Sequence, residues 1–204
     1  QAIPHASIQG NISKTEVEGL SESLMLNSNV LGIAPYIETQ GLLSSGTYLK
    51  GVYIFGIDPK YEKNVSTIEE HFIEGSIDSL QGNGYNLVIG DILAIQLGLT
   101  VGDSVNILVP ETSLGLAGIL PRTKKFKITG IFSLGAPEID QSYVYLNTNR
   151  ASKLLRTGES VHGIRIRYSN LFNAKDYIKS DLVRINKEFQ KNYNASTWET
   201  TYGT

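Results

Sequence analysis

The clearest pattern in this 204-residue chain lies near its carboxyl end, in Val161-His-Gly-Ile-Arg-Ile-Arg-Tyr168 and in the segment Asn173–Phe189. Isoleucine and arginine alternate in the first segment, which predicts a half-buried strand. In the second segment, apolar residues recur at the spacing of a helix face, at Ile178, Leu182, Ile185 and Phe189. A further strand, Ala195–Glu199, completes a βαβ-like unit.

The amino end predicts a second unit of the same kind. Ser13 and Glu16 have the spacing of a capping box, which predicts a helix from Lys14 to Asn27. A short apolar stretch precedes this helix, and a predicted strand, Val30–Glu38, follows it. Because both ends carry such a unit, we expect them to pair into one split α+β sheet.

A β-rich insertion separates the two ends. We predict one strand before it, at Thr47–Ile57, and strands within it at Tyr85–Ile89, Ser104–Pro110, Phe126–Phe132 and Tyr143–Leu146. The predicted helices are Ser66–Gly75, Asp91–Leu97 and Thr148–Leu155. We therefore divide the chain into one subdomain of residues 1–60 and 156–204 and an inserted subdomain of residues 61–155.

Composition excludes several classes of protein. Hydrophobic residues make up 41% and charged residues 19%, which is typical of a globular core. The net charge of −2 excludes a global basic field for nucleic acid. With no cysteine, the chain has no disulfides and no thiol chemistry. No segment has 18 consecutive apolar residues, and Gln1–His5 does not resemble a signal peptide, so we expect any export signal to lie outside this chain.

Motifs of known catalytic chemistry are missing from the sequence. It contains no nucleophile elbow, no zinc-protease motif and no P-loop. His71 stands beside three glutamates, which indicates either a metal site or a solvated helix face: Glu69, Glu70 and Glu74. We predict no catalytic residue, no metal and no cofactor. An enzyme with a noncontiguous site is the alternative, and it requires a deep pocket with converging polar groups.

The segment Glu111–Lys125 joins two predicted strands and is much longer than an ordinary hairpin loop. Disorder would predict polar residues, yet the segment carries Leu114, Leu116, Ile119 and Leu120. Gly115 and Gly118 permit sharp turns, and Pro121 stiffens the returning arm. Because exposed apolar side chains are costly unless a partner covers them, we expect this loop to bind another molecule.

Charge supports the same interpretation. From Thr112 to Pro137 there is no acidic residue, and basic side chains follow the apolar ones at Arg122, Lys124, Lys125 and Lys127. An apolar tip above a basic base suits a partner with an apolar opening and an acidic rim. The alternative is that the loop folds back onto its own domain and that the basic residues protect an edge strand.

Several short blocks add a resemblance to a known family. They are Gly56-Ile-Asp-Pro59, Glu74-Gly-Ser76, Val88-Ile-Gly90, Leu93-Ala94, Leu97-Gly98, Val101-Gly-Asp103, Leu120-Pro-Arg122 and Phe126-Lys-Ile-Thr-Gly-Ile-Phe132. In order and spacing these blocks resemble the periplasmic domain of lipoprotein-releasing ABC transporter permeases of the LolC/LolE type. The resemblance implies a MacB-like periplasmic fold, with a porter-like subdomain of two βαβ units and an inserted, mostly β subdomain.

The resemblance also implies a function. The domain would lie at the periplasmic face of the bacterial inner membrane and transfer outer-membrane lipoproteins to the periplasmic carrier LolA. A cytoplasmic ATPase subunit and a second permease would be the other partners, through membrane regions outside this chain. In this family a hook enters the carrier, and by position it matches Leu114, Gly115, Leu116, Ala117, Gly118, Ile119, Leu120 and Pro121. A supporting basic pad matches Arg122, Lys124 and Lys125.

The tip of the predicted hook departs from the family pattern. It reads Leu-Gly-Leu-Ala-Gly-Ile-Leu, without the proline and methionine of the specialised hook subunit. The carrier-binding subunit, its sister and a permease with both roles therefore all remain open. A coupling domain of another MacB-type mechanotransmission permease is the alternative function.

Overall fold

A computed structural model describes residues 5–110, 121–197 and 199 of the chain. In chain order the strands are β1 (Ala6–Ile12), β2 (Val30–Ser45), β3 (Tyr48–Ile57), β4 (Phe72–Gly75), β5 (Asn86–Gly90), β6 (Ser104–Val109), β7 (Arg122–Phe132), β8 (Tyr143–Asn147), β9 (Val161–Tyr168) and β10 (Asn194–Thr197). The α-helices are α1 (Lys14–Met25), α2 (Pro59–Val65), α3 (Asp91–Leu97), α4 (Pro137–Asp140), α5 (Thr148–Leu155) and α6 (Ala174–Phe189). Two 3₁₀ turns, Ile68–His71 and Ile77–Leu80, flank β4.

These elements form two compact units. The first unit takes the residues up to Tyr36, Lys60–Thr67 and the residues from Glu159 onward. The second unit takes Ile37–Pro59 and Ile68–Gly158. Residues 37–59, which the sequence analysis assigned to the porter-like part, pair here with β6 and β8 of the second unit. The functional division into porter-like and inserted subdomains stays a prediction.

Within its described residues, the first unit is an antiparallel sheet in the order β10-β1-β9-β2. Strands β1 and β2 are both antiparallel to β9, so they run parallel to each other and α1 connects them as a βαβ unit. Strands β9 and β10 are likewise both antiparallel to β1, and α6 connects them. The predicted pair of βαβ units in one split α+β sheet is confirmed.

Local sequence explains the two helices of this unit. The Ser13 hydroxyl accepts a hydrogen bond from the Glu16 backbone N–H at 3.3 Å, and the Glu16 carboxylate accepts one from the Ser13 N–H at 3.3 Å. This capping box begins α1 as predicted, although α1 ends at Met25 rather than Asn27. Helix α6 buries Ile178 and Ile185 from the predicted apolar stripe.

Buried polar side chains of the first unit bind one another. The carboxylate of Asp181 accepts hydrogen bonds from the Tyr168 hydroxyl at 2.8 Å, from the Asn27 amide at 3.1 Å and from the Arg184 guanidinium at 3.0 Å. Burial and the neighbouring Asp181 carboxylate raise the pKa of the Tyr168 hydroxyl. These contacts tie α1, β9 and α6 together through charged and polar groups.

The second unit builds its sheet from mixed pairs. Strand β3 is parallel to β8, β8 is antiparallel to β5, β5 is parallel to β7, and β7 is antiparallel to β4. Strand β6 is antiparallel both to β7 and to the second half of β2. One buried cluster fills its core: Ile57, Ile68, Ile77, Leu80, Val88 and Phe132.

The structure corrects the helix predicted over Ser66–Gly75. A helix begins earlier, at Pro59, where the fixed φ of proline suits a first turn, and it ends at Val65. The next residues form a 3₁₀ turn and strand β4. Glu69, which has capping-box spacing from Ser66, accepts a hydrogen bond from the Ile77 N–H at 2.9 Å. Pairing of β4 with β7 therefore overrides the local helical pattern.

The long loop also ends earlier than predicted. Strand β7 begins at Arg122 rather than Phe126, because residues 122–125 pair with β6 in the register Val109↔Arg122 to Asn106↔Lys125. The basic residues after the apolar segment are therefore strand residues. Residues 111–120 lie outside the described part of the chain. Among the described helices, none is long and apolar enough to cross a bilayer.

Candidate functional site

Most of the predicted hook falls on residues that the structure does not describe. Leu114 to Leu120 all lie within residues 111–120, so their part in a site stays a prediction. Pro121 is described and exposed, directly before β7. The antiparallel pairing of Val109 with Arg122 brings the two arms that carry this segment side by side. Any surface that supports the segment therefore includes the first residues of β7.

The predicted basic pad divides between two faces of β7. Side chains alternate along a strand, so Arg122 and Lys124 share the face of the buried Phe126. Lys125 lies on the opposite face, together with the exposed Lys127. The structure thus brings Arg122 and Lys124 together and separates both from Lys125.

Tyr85 supports Lys124 on its face. The Lys124 Nζ lies 4.4 Å from the centroid of the Tyr85 ring. The edge of the same ring contacts Phe126, with the two centroids 5.7 Å apart. The Tyr85 carbonyl also accepts a hydrogen bond from the Lys127 N–H at 2.8 Å. The ring is therefore fixed against β7, and its negative face attracts the ammonium group.

A second cation reaches the same ring from helix α5. The Arg150 guanidinium carbon lies 4.3 Å from the centroid of the Tyr85 ring. This arginine is only 7% exposed, and its Nη2 donates a hydrogen bond to the Asn83 carbonyl. Arg150 therefore joins α5 to the glycine-rich turn before β5, and it fixes the position of Tyr85 under Lys124.

Arg122 completes this group by binding the end of α5. Its Nη1 donates to the Leu154 carbonyl at 3.3 Å, at a helix end where carbonyl groups lack partners within the helix. The neighbouring Lys153 and Arg156 are exposed. We call the group formed by Arg122, Lys124, Arg150 and Tyr85 the basic cluster. It presents positive charge on aromatic and helical supports at the base of residues 111–120.

The first acidic residues after the basic stretch of β7 lie in α4. Of the two carboxylates in α4, that of Asp140 is buried and accepts hydrogen bonds from the N–H groups of Leu134, Gly135 and Ala136 at 2.8 to 3.1 Å. Asp140 therefore holds a turn. The basic cluster itself contains three cationic side chains, those of Arg122, Lys124 and Arg150.

The proposed cluster around His71 has another role in the structure. The Glu69 carboxylate accepts a hydrogen bond from the Ile77 N–H, and the His71 carbonyl accepts one from the Ser133 N–H at 2.9 Å. In the described ranges, no three histidine or acidic side chains gather as a group that could hold a metal ion.

Sequence reasoning missed Tyr85 and Arg150. The glycines Gly82 and Gly84 are typical of a turn, but nothing in the sequence places their neighbour Tyr85 beside residue 124 or residue 150. Only the pairing of β5 with β7 and the packing of α5 bring these residues together.

Comparison with curated proteins finds relatives in lipoprotein release. The chain is 36% identical over 174 residues to the "Lipoprotein-releasing system transmembrane protein LolC" of Xylella fastidiosa (strain 9a5c), which covers 85% of this chain and 41% of that protein. It is 26% identical over 207 residues to the LolE protein of Haemophilus influenzae, covering 98% of this chain and 48% of that protein. The chain thus spans less than half the length of these relatives.

Comparison with solved structures identifies the same fold. The periplasmic region of MacB from Actinobacillus actinomycetemcomitans superposes with a TM-score of 0.62 at 14% identity, over 98% of this chain and 91% of that one. The extracellular domain of the Gram-positive ABC-type transporter YknZ gives a TM-score of 0.61 at 12% identity, over 94% of this chain and 98% of that one.

A family model described as "MacB-like periplasmic core domain" matches residues 3–180. The chain therefore belongs to the family of MacB-like periplasmic core domains.

Proposed function

We propose that this chain is the periplasmic domain of an ABC transporter permease that passes outer-membrane lipoproteins from the inner membrane to the carrier LolA. It lies at the periplasmic face of the bacterial inner membrane and takes no part in chemistry. A separate cytoplasmic ATPase subunit hydrolyses ATP, and a second permease completes the membrane part. Similarity to LolC over 85% of the chain supports this assignment.

The docking step rests on one observation, the basic cluster at the base of residues 111–120. Residues Leu114 to Pro121 form the hook that enters an apolar cavity of the carrier. Arg122 and Lys124 then meet the acidic rim of that cavity. Because the Tyr85 ring, which Arg150 also contacts, restrains Lys124, binding loses less side-chain entropy than it would with a free lysine.

Calorimetric titration with LolA tests the docking step. One variant replaces residues 113–120 with a short Asn-Gly turn, which keeps the β6–β7 pair and removes the apolar tip. We expect the wild-type chain to bind and this variant to lose measurable binding. No binding by the folded wild-type chain would contradict the hook assignment.

A matched pair of charge reversals tests the basic cluster. Lys124→Glu alters the face that carries Arg122 and Tyr85, and Lys125→Glu makes the same change on the opposite face of the same strand. We expect Lys124→Glu to weaken binding about tenfold or more, which is roughly 1.4 kcal/mol, with a weaker dependence on salt. Lys125→Glu should change binding little. Equal effects of the two reversals would show only a general attraction between charges.

A coupling domain of another MacB-type permease is the second candidate. The fold similarity to the MacB and YknZ domains favours it. Such a domain would transmit motion between a membrane part and a different periplasmic partner. It predicts that the wild-type chain and the Asn-Gly variant behave alike in the LolA titration.

A further inference from the structure

Among the described residues, five large apolar side chains of the first unit are more than half exposed. Val183 lies midway along α6, and the other four lie outside that helix. Their exposed fractions are 51% for Met25, 79% for Leu26, 53% for Leu31 and 81% for Phe172. Single exposed apolar residues are common on protein surfaces, so exposure alone indicates nothing. The positions of these four residues in the fold carry the argument.

All four lie at one end of the sheet. Helix α1 ends at Met25, and strand β2 begins at Val30, which pairs with Tyr168 at the end of β9. The turn after β9 adjoins the turn before β2, since the Ser169 N–H donates to the Asn29 carbonyl at 2.7 Å. Leu26 belongs to one of these adjoining turns and Phe172 to the other. We call Met25, Leu26, Leu31 and Phe172 the apolar end.

The first and last described residues leave the sheet at this same end. The His5 N–H donates to the Ile166 carbonyl at 3.2 Å, and Ala6 pairs with Thr197. Glu199 reaches the start of α6, where its carboxylate lies 3.9 Å from the Lys175 ammonium group. Lys175 follows Phe172 by three positions. The chain therefore enters and leaves the first unit beside the apolar end.

Local contacts hold the exposed side chains outward. The Phe172 N–H donates to the Asn170 side-chain oxygen at 2.8 Å, which closes a tight turn around the phenylalanine. The Asn27 side-chain oxygen accepts from the Asn29 N–H at 3.0 Å, and the amide of the same side chain binds the buried Asp181. The turn before β2 is thus anchored to the interior, and the turn at Phe172 is closed by its own hydrogen bond, while the apolar side chains of both remain exposed.

We infer that the apolar end contacts the surface of a lipid bilayer, with Leu26 and Phe172 entering the boundary between headgroups and acyl chains. This inference rests on the proposed function, which places the domain at the periplasmic face of the inner membrane. Burial of apolar side chains at this boundary is favourable, so two or three together hold a tethered domain against the membrane. Four side chains are too few for a stable dimer, which buries about 800 Å² on each partner.

The absence of cysteine makes a direct test possible. Leu26→Cys and Phe172→Cys are each labelled with a polarity-sensitive fluorophore. Ile95→Cys, at an apolar residue of the second unit with 78% exposure, is the matched control. Each labelled chain is held on phosphatidylethanolamine–phosphatidylglycerol vesicles through a histidine tag before Gln1 and a nickel-chelating lipid.

We expect blue-shifted emission at positions 26 and 172, and quenching by lipids that carry a nitroxide on the acyl chain. The label at position 95 should show neither. Equal emission at all three positions, or an equal shift at position 95, overturns the inference. A blue shift that appears without vesicles and grows with protein concentration assigns the apolar end to a second copy of the chain and also overturns it.

A second variant guards against an effect of the label. Leu26→Ser combined with Phe172→Ser should reduce quenching of a label placed at Leu31→Cys on the same tethered vesicles. The LolA titration uses no lipid, so the proposed docking and this membrane contact fail independently. If LolA binds but the labels at positions 26 and 172 show no change in fluorescence on vesicles, the docking proposal stands and the proposed membrane contact is wrong.

Discussion

The two units satisfy their buried polar side chains in different ways. In the first unit the buried acidic side chains pair with other side chains, as Glu62 does with Arg165 and as Asp181 does with Tyr168 and Arg184, although the buried His5 accepts from the Tyr168 N–H. In the second unit they bind the backbone: Asp140 holds three N–H groups, and Asn147 donates to the Leu80 carbonyl at 3.0 Å.

The difference predicts different responses to mutation. A side chain that pairs with another side chain leaves a buried charge behind when its partner is removed. A side chain that binds the backbone leaves a turn without its support, and the loss stays local. Hydrogen exchange read by mass spectrometry separates these outcomes, because it reports the stability of each segment.

The largest effect is expected at Glu62. Its carboxylate is 2% exposed and binds both terminal nitrogens of Arg165, so Glu62→Ala removes the carboxylate that faces a buried guanidinium. We expect a loss of about 3–5 kcal/mol in the free energy of unfolding of the first unit, measured by urea titration and hydrogen exchange. Combining Glu62→Leu with Arg165→Met should restore most of it. The exposed pair Lys175–Glu199 is the control, where Lys175→Ala should cost less than about 1 kcal/mol.

A smaller and more local effect is expected at Asp140. Asp140→Ala removes the acceptor for three backbone N–H groups, at a cost of about 2–3 kcal/mol. Faster exchange should be confined to residues 133–141. Equal acceleration across the first unit would contradict the distinction between the two units.

Asp181→Asn should cost less, about 1–2 kcal/mol. The amide keeps one oxygen for the Tyr168 hydroxyl but loses the charge that attracts Arg184. We expect the pKa of Tyr168 to fall toward its ordinary value, because the Asp181 carboxylate helps to raise it. Spectrophotometric titration of tyrosinate measures this change. An unaltered titration curve would show that Asp181 is not a cause of the raised pKa of Tyr168.

The smallest effects are expected from the pH dependence of the first unit. Lys191 forms an ion pair with Glu16 at 3.0 Å, and its hydrogen bond lowers the pKa of the Glu16 carboxyl. The stabilisation of the folded state by this pair is present above about pH 4.5 and is lost as the pH falls through the lowered pKa. Burial and the Glu16 carboxylate raise the pKa of the Tyr193 hydroxyl to about 12. The stabilisation of the folded state by Tyr193 is therefore complete below about pH 10 and is lost as the pH rises toward 12. Glu16→Gln should weaken both dependences of the free energy of unfolding on pH, as measured by urea titrations at a series of pH values. Unchanged slopes would assign them to other groups.

Local patterns in the sequence determined much of the first unit. The capping box of Ser13 and Glu16, the apolar period of α6 and the alternation in β9 each depend on residues a few positions apart, so each could be predicted. The pairing of two βαβ units followed from them. The basic charge near residues 122–125 was also visible in the sequence, and the hook that precedes it remains a prediction.

Only the tertiary structure decided the rest. Most of the segment Ser66–Gly75, predicted as a helix, forms a 3₁₀ turn and strand β4, because β4 pairs with β7. The strand β7 extends back to Arg122 because β6 pairs with it, which puts Lys124 and Lys125 on opposite faces. The basic cluster joins Tyr85, Lys124 and Arg150 from three distant segments. Contacts between distant segments depend on strand register, and no local period of the sequence encodes that register.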